Sequence, residues 1–277
     1  MDESGQSDFL AAVASRSSHG LRGNYDGAGG DYTIRQDYDA YSERDHDTWR
    51  RLHARQCELL PGRACGEFVR ALTALDFADA IPRFDAVNEK LAQASGWHLA
   101  AVPGLLPDEV FFGHLASRRF PVTVWIRKPE EFDYIVEPDV FHDFFGHVPM
   151  LFDRRIGDYL QAYGEGGLKA QRLGALKYLA RLYWYTIEFG LIREAGNVRA
   201  YGAGILSSPG ELVHAIESDV PVRRRFDLIE AMQTTYLIDD FQKRYFVIDS
   251  FEQLFEETAP DFSLLYRALE RMPELEP

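Results

Sequence analysis

The chain has 277 residues, of which 46% are hydrophobic and 13% aromatic, so it can bury roughly 75% of the surface of its unfolded form without disulfides. It carries 30 lysine and arginine residues against 44 aspartate and glutamate residues, a formal net charge of −14. This charge argues against nucleic acid or an anionic membrane as a partner and favours small-molecule ligands.

The length alone would permit two domains. After about residue 40, however, no linker rich in proline, glycine or serine interrupts the sequence. We therefore expect a flexible tail over residues 1–40 and a single catalytic domain over residues 41–277. The tail lacks the basic start and long apolar run of a secretory signal or membrane anchor. Cys57 and Cys65 do not form a disulfide framework, so the sequence predicts a protein of the reducing cytoplasm.

The spacing of apolar residues predicts mostly helices. The first helix runs from Ser42 to Leu60 and ends at Pro61. Residues 97–102 and 121–126 are short, β-branched or aromatic, and typical of strands. A mainly α, α+β domain with a few short strands is expected. Further helices are predicted over residues 64–75, 82–94, 107–117, 138–146, 153–163, 169–189, 208–217, 223–234 and 251–257.

Two histidines, His142 and His147, lie five residues apart in the segment EPDVFHDFFGHVP. Five residues of an α-helix turn through about 500°, which leaves these side chains about 140° apart. We therefore expect the helix to end between them, with Gly146 as its terminator and Pro149 moving Val148 out of helical angles. A core histidine beside a helix-capping histidine is the alternative, but buried imidazole nitrogens among these phenylalanines need partners.

Glu188 lies in the apolar segment YLARLYWYTIEFGLI, where an unpaired carboxylate would cost several kcal/mol. Arg181, two turns earlier, is one candidate partner. A metal ion shared with His142 and His147 is the other, and it explains all three residues together. Two imidazoles and one carboxylate leave about half of an octahedral coordination sphere open, as in non-haem Fe(II) oxygenases.

Zinc accepts the same three ligands. Zinc peptidases, however, place their histidines four residues apart on a helix with a glutamate between them, whereas the gap here is five and the adjacent acid is Asp143. The residues favour iron. A zinc hydrolase with Asp143 as its base, and a non-catalytic metal-dependent ligand-binding or regulatory protein, stay open as alternatives.

Four segments occur in the order VPGLLPDEVFFGHLASRRF, EPDVFHDFFGHVPML, YWYTIEFGL and YGAGILSSPGEL. They closely resemble the pterin-dependent aromatic amino acid hydroxylases, most of all the single-domain bacterial phenylalanine 4-hydroxylases. The resemblance covers roughly residues 95–255. It implies the hydroxylase fold and an Fe(II) ion bound by His142, His147 and Glu188, with a tetrahydropterin and O2 as co-substrates.

The resemblance implies that Arg127 receives the carboxylate of an amino-acid substrate and that Asp139 holds its guanidinium, a geometry suited to bidentate pairing. Ser208 also fits a helix-capping box with Glu211, so capping is a second explanation for it. The residues that the resemblance places around the ring and the amino-acid end of the substrate are Tyr134, Trp184, Ser207 and Ser208.

The pterin positions that the resemblance implies are Gly104, Leu106, Phe111 and Asp143. Backbone groups of the first two can meet the polar edge of the pterin, and the phenyl ring can stack on its face. Asp143 stands where animal relatives carry glutamate, and Ile135 stands where they carry threonine near the substrate. These differences affect the detailed contacts and leave the metal ligands unchanged.

The resemblance implies that L-phenylalanine is hydroxylated to L-tyrosine, with the protein positioning the reactants and excluding water. Trp184 favours phenylalanine, because tryptophan-specific relatives usually carry a smaller aromatic residue there; hydroxylation of L-tryptophan is the alternative. The regulatory segment and tetramerising helix of animal relatives are not found. We therefore expect a cytoplasmic monomer that binds small molecules, with neither nucleic acid nor membrane as partner and with separate pterin-recycling enzymes.

Overall fold

A computed structural model describes the chain over residues 22–133, 135, 137–238, 240–259 and 261–277. Helix accounts for 52% of the described residues and strand for 12%, which confirms the predicted helix-rich α+β fold. One hydrophobic cluster extends from Trp49 to Leu269. Within this part of the chain, no helix is both long and apolar enough to span a lipid bilayer.

Helices and short strands follow one another irregularly along the chain. The α-helices are α1 Glu43–Leu59, α2 Gly66–Leu75, α3 Phe84–Ser95, α4 Asp108–Ala116, α5 Val148–Leu151, α6 Arg154–Arg172, α7 Leu176–Tyr183, α8 Ala203–Leu206, α9 Pro209–Glu217, α10 Leu228–Gln233, α11 Phe251–Thr258 and α12 Ser263–Leu269. The strands are β1 His98–Val102, β2 Arg119–Thr123, β3 Leu191–Glu194, β4 Asn197–Ala200, β5 Val222–Arg225 and β6 Arg244–Ile248. Two π-helical segments are π1 His142–His147 and π2 Trp184–Glu188, and 3-10 turns lie at Tyr38–Ala40 and Pro129–Glu131.

Helix α1 begins and ends within a residue of its predicted limits. The Ser42 hydroxyl accepts a hydrogen bond from the backbone N–H of Asp45, and the Asp45 carboxylate accepts one from the backbone N–H of Ser42. This capping box satisfies two donors at the helix start. Trp49 on the buried face packs edge-on against Phe141 and Phe144, with ring centroids 5.4 and 5.9 Å away. The helix therefore supports the segment that carries the two histidines.

Strands β1 and β2 form the predicted strand pair, and they are parallel. Helix α4 connects them, because parallel neighbours need a crossover. The carboxyl ends of both strands lie at the same edge, where the indole N–H of Trp125 donates to the Pro103 carbonyl at 3.1 Å. The loop over residues 103–107 and the segment that carries Arg127 are thereby neighbours, so the predicted pterin and substrate positions come together.

Helix α6 is longer than predicted and continues through the glycines of the segment YGEGGLK. The predicted break between residues 163 and 169 was wrong. A Cβ on Gly164 would lie 2.3 Å from the backbone nitrogen of Ala116, and one on Gly167 would lie 2.2 Å from the ring of Phe112. Glycine weakens the helix locally, but here it permits close packing of α4 on α6, and that packing keeps α6 helical.

The predicted helix over residues 169–189 is divided into three parts. Helix α6 ends at Arg172, and Gly174 follows with a φ of 68°, a left-handed conformation that ends helices. Helix α7 then begins at Leu176 and continues into π2. The divided helix changes direction before it reaches Glu188.

A four-stranded sheet with the order β4-β3-β6-β5 was not predicted. Strands β3 and β4 form an antiparallel hairpin, and both of its turn residues, Ala195 and Gly196, have positive φ, as two-residue hairpin turns favour. Strands β3 and β5 each pair in parallel with β6. The helix predicted over residues 223–234 begins only at Leu228, because the preceding residues pair with a strand that is remote in sequence.

Residues 22–40, which belong to the expected flexible tail, lie against the domain. The backbone N–H of Ile34 donates to the Ala101 carbonyl at 2.9 Å. The Tyr25 hydroxyl donates to the Leu105 carbonyl at 3.1 Å. These contacts join the segment to β1 and to the loop that follows it; the rest of the expected tail lies outside the described residues.

Candidate metal centre and substrate cavity

The two histidines lie on the same side of a π-helical turn. His142 and His147 are the first and last residues of π1, and their ring centroids are 5.4 Å apart. Hydrogen bonds in a π-helix join residues five apart, so this spacing returns to the same side of the helix. The expected helix end at Gly146 was wrong, because Val148 keeps helical angles (φ −62°, ψ −37°). Pro149 lies in the first turn of α5, where a missing N–H is tolerated.

Glu188 reaches the histidines from the end of π2, where the backbone N–H of Phe189 donates to the Trp184 carbonyl at 2.8 Å. Its carboxylate lies 3.2 Å from Nε2 of His147 and 3.6 Å from Nε2 of His142. The donor atoms of all three lie within 4.8 Å of one another. Ligands about 2 Å from one ion are themselves about 3 to 4 Å apart, so the three side chains fit a single metal.

Arg181, the alternative partner for Glu188, points elsewhere. Its guanidinium lies 2.9 Å from a carboxylate oxygen of Glu274 and donates to the backbone carbonyls of Met232 and Gln233. The Glu188 carboxylate is left with the two imidazoles and the Tyr183 hydroxyl, none of which is a permanent cation. A metal cation between these groups is therefore the better explanation for a carboxylate in this apolar segment.

A chain of hydrogen bonds determines which ring nitrogen of His142 is unprotonated and can bind a metal. The Ser207 hydroxyl donates to the Ala203 carbonyl at 2.8 Å, so it accepts from Nδ1 of His142, also at 2.8 Å. Nδ1 carries the proton, and Nε2 is left to bind a metal. The ring of His147 packs against Phe120 with centroids 4.8 Å apart. Ser207, predicted near the substrate, thus also orients a metal ligand.

The protonation states of Glu188 and His142 suit metal binding. Burial alone would raise the pKa of Glu188, but His147 and His142 outweigh burial and lower it. Burial lowers the pKa of His142, against the opposing effect of Glu188. An ionised carboxylate and a neutral imidazole are the forms that bind metal ions.

The metal ligands lie in the wall of a cavity of about 670 Å³, a size typical of small-molecule sites. The predicted substrate and pterin residues line the same cavity, with two exceptions. Asp139 lies behind Arg127, and Tyr134 lies outside the described residues. The cavity therefore brings together a candidate metal centre and two candidate organic binding surfaces.

Arg127 and Asp139 form a buried bidentate pair in this wall. Nε and Nη2 of Arg127 each lie 2.8 Å from a carboxylate oxygen of Asp139, and the backbone N–H of Arg127 donates to the same carboxylate. Burial would raise the pKa of Asp139, but the Arg127 guanidinium outweighs burial and lowers it. Asp139 also accepts from the backbone N–H of His142 at 3.0 Å, which links the arginine to the metal turn. The remaining guanidinium N–H groups suit a ligand carboxylate.

Ser208 caps helix α9, its hydroxyl accepting from the backbone N–H of Glu211 at 3.3 Å. The capping box is incomplete, because the Glu211 carboxylate instead accepts from the Tyr245 hydroxyl and from the backbone N–H of Gln242. Burial raises the pKa of Glu211 to about 7. The Glu211 carboxyl group therefore joins α9 to the segment before β6 and does not accept the backbone N–H of Ser208 that a capping box requires.

The predicted pterin residues occupy one part of the cavity wall. Gly104 and Leu106 lie in the loop after β1, and Phe111 lies on α4. Asp143, next to the first histidine in π1, accepts a hydrogen bond from the backbone N–H of Thr123 at 2.8 Å. Burial raises the pKa of Asp143. These residues lie in the same cavity wall as the candidate metal ligands.

Tyr183 and Gln242 are among the residues of the cavity wall that were not predicted. The hydroxyl of Tyr183 lies beside Glu188, and its ring packs edge-on against Phe111 with centroids 5.4 Å apart. Gln242 accepts a hydrogen bond from the indole N–H of Trp184 at 2.9 Å. The aromatic run around Trp184 is a signal that points to Tyr183, whereas nothing in the local sequence marks Gln242.

Comparisons with known proteins agree with this geometry. A family model described as biopterin-dependent aromatic amino acid hydroxylase matches residues 33–268. The chain is 59% identical over 240 residues to the phenylalanine-4-hydroxylase of Chromobacterium violaceum, and the match covers 86% of this chain and 81% of that protein. The predicted family resemblance is confirmed.

Solved structures of the C. violaceum enzyme are similar throughout. The structure with iron and phenylalanine bound has a TM-score of 0.86 at 54% identity and covers 95% of both chains. The structure with Fe(III) and the oxidised cofactor 7,8-dihydrobiopterin has a TM-score of 0.86 at 55% identity and covers 91% of both chains. The chain therefore belongs to the biopterin-dependent aromatic amino acid hydroxylases.

Proposed function

We propose that this chain is a monooxygenase that uses Fe(II), a tetrahydropterin and O2 to convert L-phenylalanine into L-tyrosine. The observation that carries the proposal is the convergence of His142, His147 and Glu188 in the wall of the cavity that also contains Arg127. The related enzyme solved with iron and phenylalanine, and with iron and an oxidised pterin, supports it.

In the proposed site, Nε2 of His142, Nε2 of His147 and the carboxylate of Glu188 hold the iron on one side and leave the other side open. Bound iron and the reduced pterin together activate O2, so that one oxygen atom enters the para position of the substrate ring and the other enters the pterin. Ser207 keeps Nε2 of His142 unprotonated through its hydrogen bond to Nδ1.

Arg127 binds the substrate carboxylate in this proposal. Two of its five side-chain N–H groups are used by Asp139, which leaves donors for a second carboxylate. Trp184 forms part of the aromatic wall, Ser207 and Ser208 border the amino-acid end, and Tyr134 is assigned to the wall by resemblance alone. Because Arg127 binds the carboxylate at a fixed distance from the metal ligands, the substrate ring would face the open side of the iron.

The pterin lies against Gly104, Leu106 and Phe111 in this proposal, with Asp143 at its edge. Its polar edge meets backbone groups of the loop after β1, and its ring packs against the phenyl face. The apolar wall excludes water from the reacting atoms. No side chain is required as a nucleophile in this mechanism. A hydrolase with Asp143 as its base is not favoured, because the similar proteins are phenylalanine hydroxylases.

We place the enzyme in the cytoplasm as a monomer whose pterin is regenerated by other enzymes. Cys57 and Cys65 are free thiols, which suits a reducing compartment. Size-exclusion chromatography with light scattering should give a mass near 31.6 kDa. A mass twice that value would contradict the monomer.

Turnover after anaerobic loading with Fe(II) tests the function. The loaded protein is mixed with L-phenylalanine, tetrahydrobiopterin and O2, and tyrosine, oxidised pterin and oxygen consumption are measured. We expect equal amounts of tyrosine formed and O2 consumed, and no tyrosine when either the metal or the pterin is omitted.

A zinc-loaded sample is the matched control and should form no tyrosine. Cleavage of peptides or amides by that sample would support the hydrolase instead. Tight binding of phenylalanine by the iron-loaded protein without any turnover would support a binding protein. Faster turnover of L-tryptophan than of L-phenylalanine would contradict the proposed substrate.

A further inference from the structure

The indole ring of Trp184 forms part of the cavity wall and is held between other aromatic rings. Its centroid lies 4.2 Å from that of Tyr236, with the planes 15° apart, and 4.7 Å from that of Phe189, with the planes 31° apart. Such packing fixes the plane of the ring, but a half-turn flip about χ2 would keep that plane and exchange the two edges of the indole. The single polar atom of the indole, Nε1, therefore decides which edge of the ring faces the cavity.

Nε1 of Trp184 donates to Oε1 of Gln242 at 2.9 Å. An indole N–H is only a donor, so the amide oxygen must face it. The amide nitrogen donates to the carbonyls of Leu237 at 2.7 Å and Asp240 at 3.4 Å, which requires the same amide orientation. Gln242 is 2% exposed, so bulk water does not compete for this hydrogen bond.

The backbone of Gln242 is also held on both sides. Its N–H donates to the carboxyl group of Glu211 at 3.3 Å, and its carbonyl accepts from Nε2 of His214 at 3.1 Å. Both partners lie on α9. Because backbone and side chain are anchored independently, the acceptor for the indole N–H has a fixed position.

We propose that Gln242 is a positioning residue that holds the indole edge of Trp184 and so sets the width of the aromatic pocket, favouring phenylalanine over larger rings. This inference rests on the proposed function, since it concerns the substrate pocket of that reaction. Without the acceptor, the indole can flip about χ2 within its stack. The pocket then holds phenylalanine less firmly and admits the extra ring of tryptophan.

A double-mutant cycle separates this role from simple support of the loop. Methionine matches glutamine in length but lacks the amide oxygen. Gln242→Met should lower kcat/KM for L-phenylalanine by about 10-fold and raise the ratio of kcat/KM for L-tryptophan to that for L-phenylalanine by at least about 5-fold. In the Trp184→Phe background the same change should alter kcat/KM for L-phenylalanine by less than about 2-fold, because no indole N–H is present. An equal effect in both backgrounds, or an unchanged substrate ratio, would overturn the proposal.

A spectroscopic measurement tests the hydrogen bond without turnover. The chain has four tryptophans, and the indole N–H signal that disappears in Trp184→Phe belongs to Trp184. In Gln242→Met this signal should shift and exchange faster with water, while the other three indole signals stay in place and report an intact fold. An unchanged exchange rate would overturn this proposal whether or not the wild-type protein forms tyrosine. Absence of tyrosine formation by the wild type would instead contradict the proposed function. Gln242→Asn, whose shorter amide does not reach Nε1, is the second variant and should give the same pattern.

Discussion

The metal end of the cavity and its substrate walls are built from different kinds of structure. The three metal ligands lie on two π-helical segments, each continuous with an α-helix, and Phe144 and Phe145 behind them are completely buried. Other walls include residues 104–106 and residues 236, 238 and 240–242, which lie outside the helices and strands. Substitutions at the metal end should therefore abolish iron binding and activity almost completely. Substitutions in the walls should lower affinity or stability only in part.

Removing a metal ligand should give the largest effect. Glu188→Ala and His147→Ala should lose tight iron binding and all tyrosine formation, because two protein ligands compete poorly with water for the ion. Iron content measured by mass spectrometry and circular dichroism should show an iron-free but folded protein. His98→Ala, which changes an exposed histidine, is the control and should retain full iron content. Full iron content in Glu188→Ala would contradict the assignment of this ligand.

Asp139→Ala should separate substrate binding from metal binding. It should keep its iron but bind L-phenylalanine about 10- to 100-fold more weakly, because the guanidinium of Arg127 loses the group that orients it. The same change leaves a buried charge unpaired and should lower the free energy of unfolding by about 3 to 5 kcal/mol. Calorimetric titration with phenylalanine and denaturant unfolding measure the two effects. An unchanged phenylalanine affinity would refute the role assigned to Arg127.

Glu211→Gln tests how the wall segment responds to pH. The folded state raises the pKa of Glu211 from 4.5 to about 7, so ionisation of this carboxyl group disfavours the folded state progressively from pH 4.5 upward and fully above pH 7. The variant should be more stable than the wild type at pH 8, by up to about 3 kcal/mol. The two proteins should be about equally stable at pH 4. Chemical denaturation at several pH values measures the difference, and a difference that does not change with pH would contradict this account.

The adjacent serines provide a matched pair at the boundary of the two regions. Ser207→Ala removes the acceptor for Nδ1 of His142 and should weaken iron binding by about 10-fold. Ser208→Ala removes a helix cap and should lower the free energy of unfolding by about 1 kcal/mol, with iron affinity unchanged. Iron titration and thermal unfolding of both variants distinguish the two roles. A loss of iron affinity in Ser208→Ala would contradict the assignment of Ser208 to capping alone.

The smallest expected effect is in the loop after β1. Tyr25→Phe removes the hydroxyl that donates to the Leu105 carbonyl, between the two predicted pterin residues Gly104 and Leu106. The KM for the tetrahydropterin should rise by about 3-fold, the size expected for one neutral hydrogen bond. The KM for phenylalanine is the internal control and should not change. An equal rise in both constants would mean that the loop supports the whole cavity.

His142, His147 and Glu188 could be picked out as candidate metal ligands because each is a polar residue in an apolar segment, where burial requires a partner. One shared metal ion satisfies all three, and that argument does not depend on the exact backbone. The backbone itself was predicted wrongly, since a spacing of five suits a π-helical turn only when tertiary packing stabilises it. Residue chemistry was therefore a better guide to the site than helix geometry.

Features that depend on contacts between remote segments were not predictable from local patterns. Strand β5 has the sequence Val-Arg-Arg-Arg and becomes a strand only by pairing with β6. Gln242 lies 58 residues from Trp184, the side chain whose indole N–H donates to it. The glycines of α6 would end a helix in isolation but instead allow close packing. In each case tertiary contacts override the local preference.

The most direct test of the metal centre is to locate the iron by anomalous diffraction in crystals prepared anaerobically with Fe(II). We predict one peak at full occupancy, about 2 Å from Nε2 of His142, Nε2 of His147 and the carboxylate of Glu188. The other coordination positions should be filled by water. Stoichiometric iron at any other place, or a peak that lacks one of these three ligands, would contradict the account.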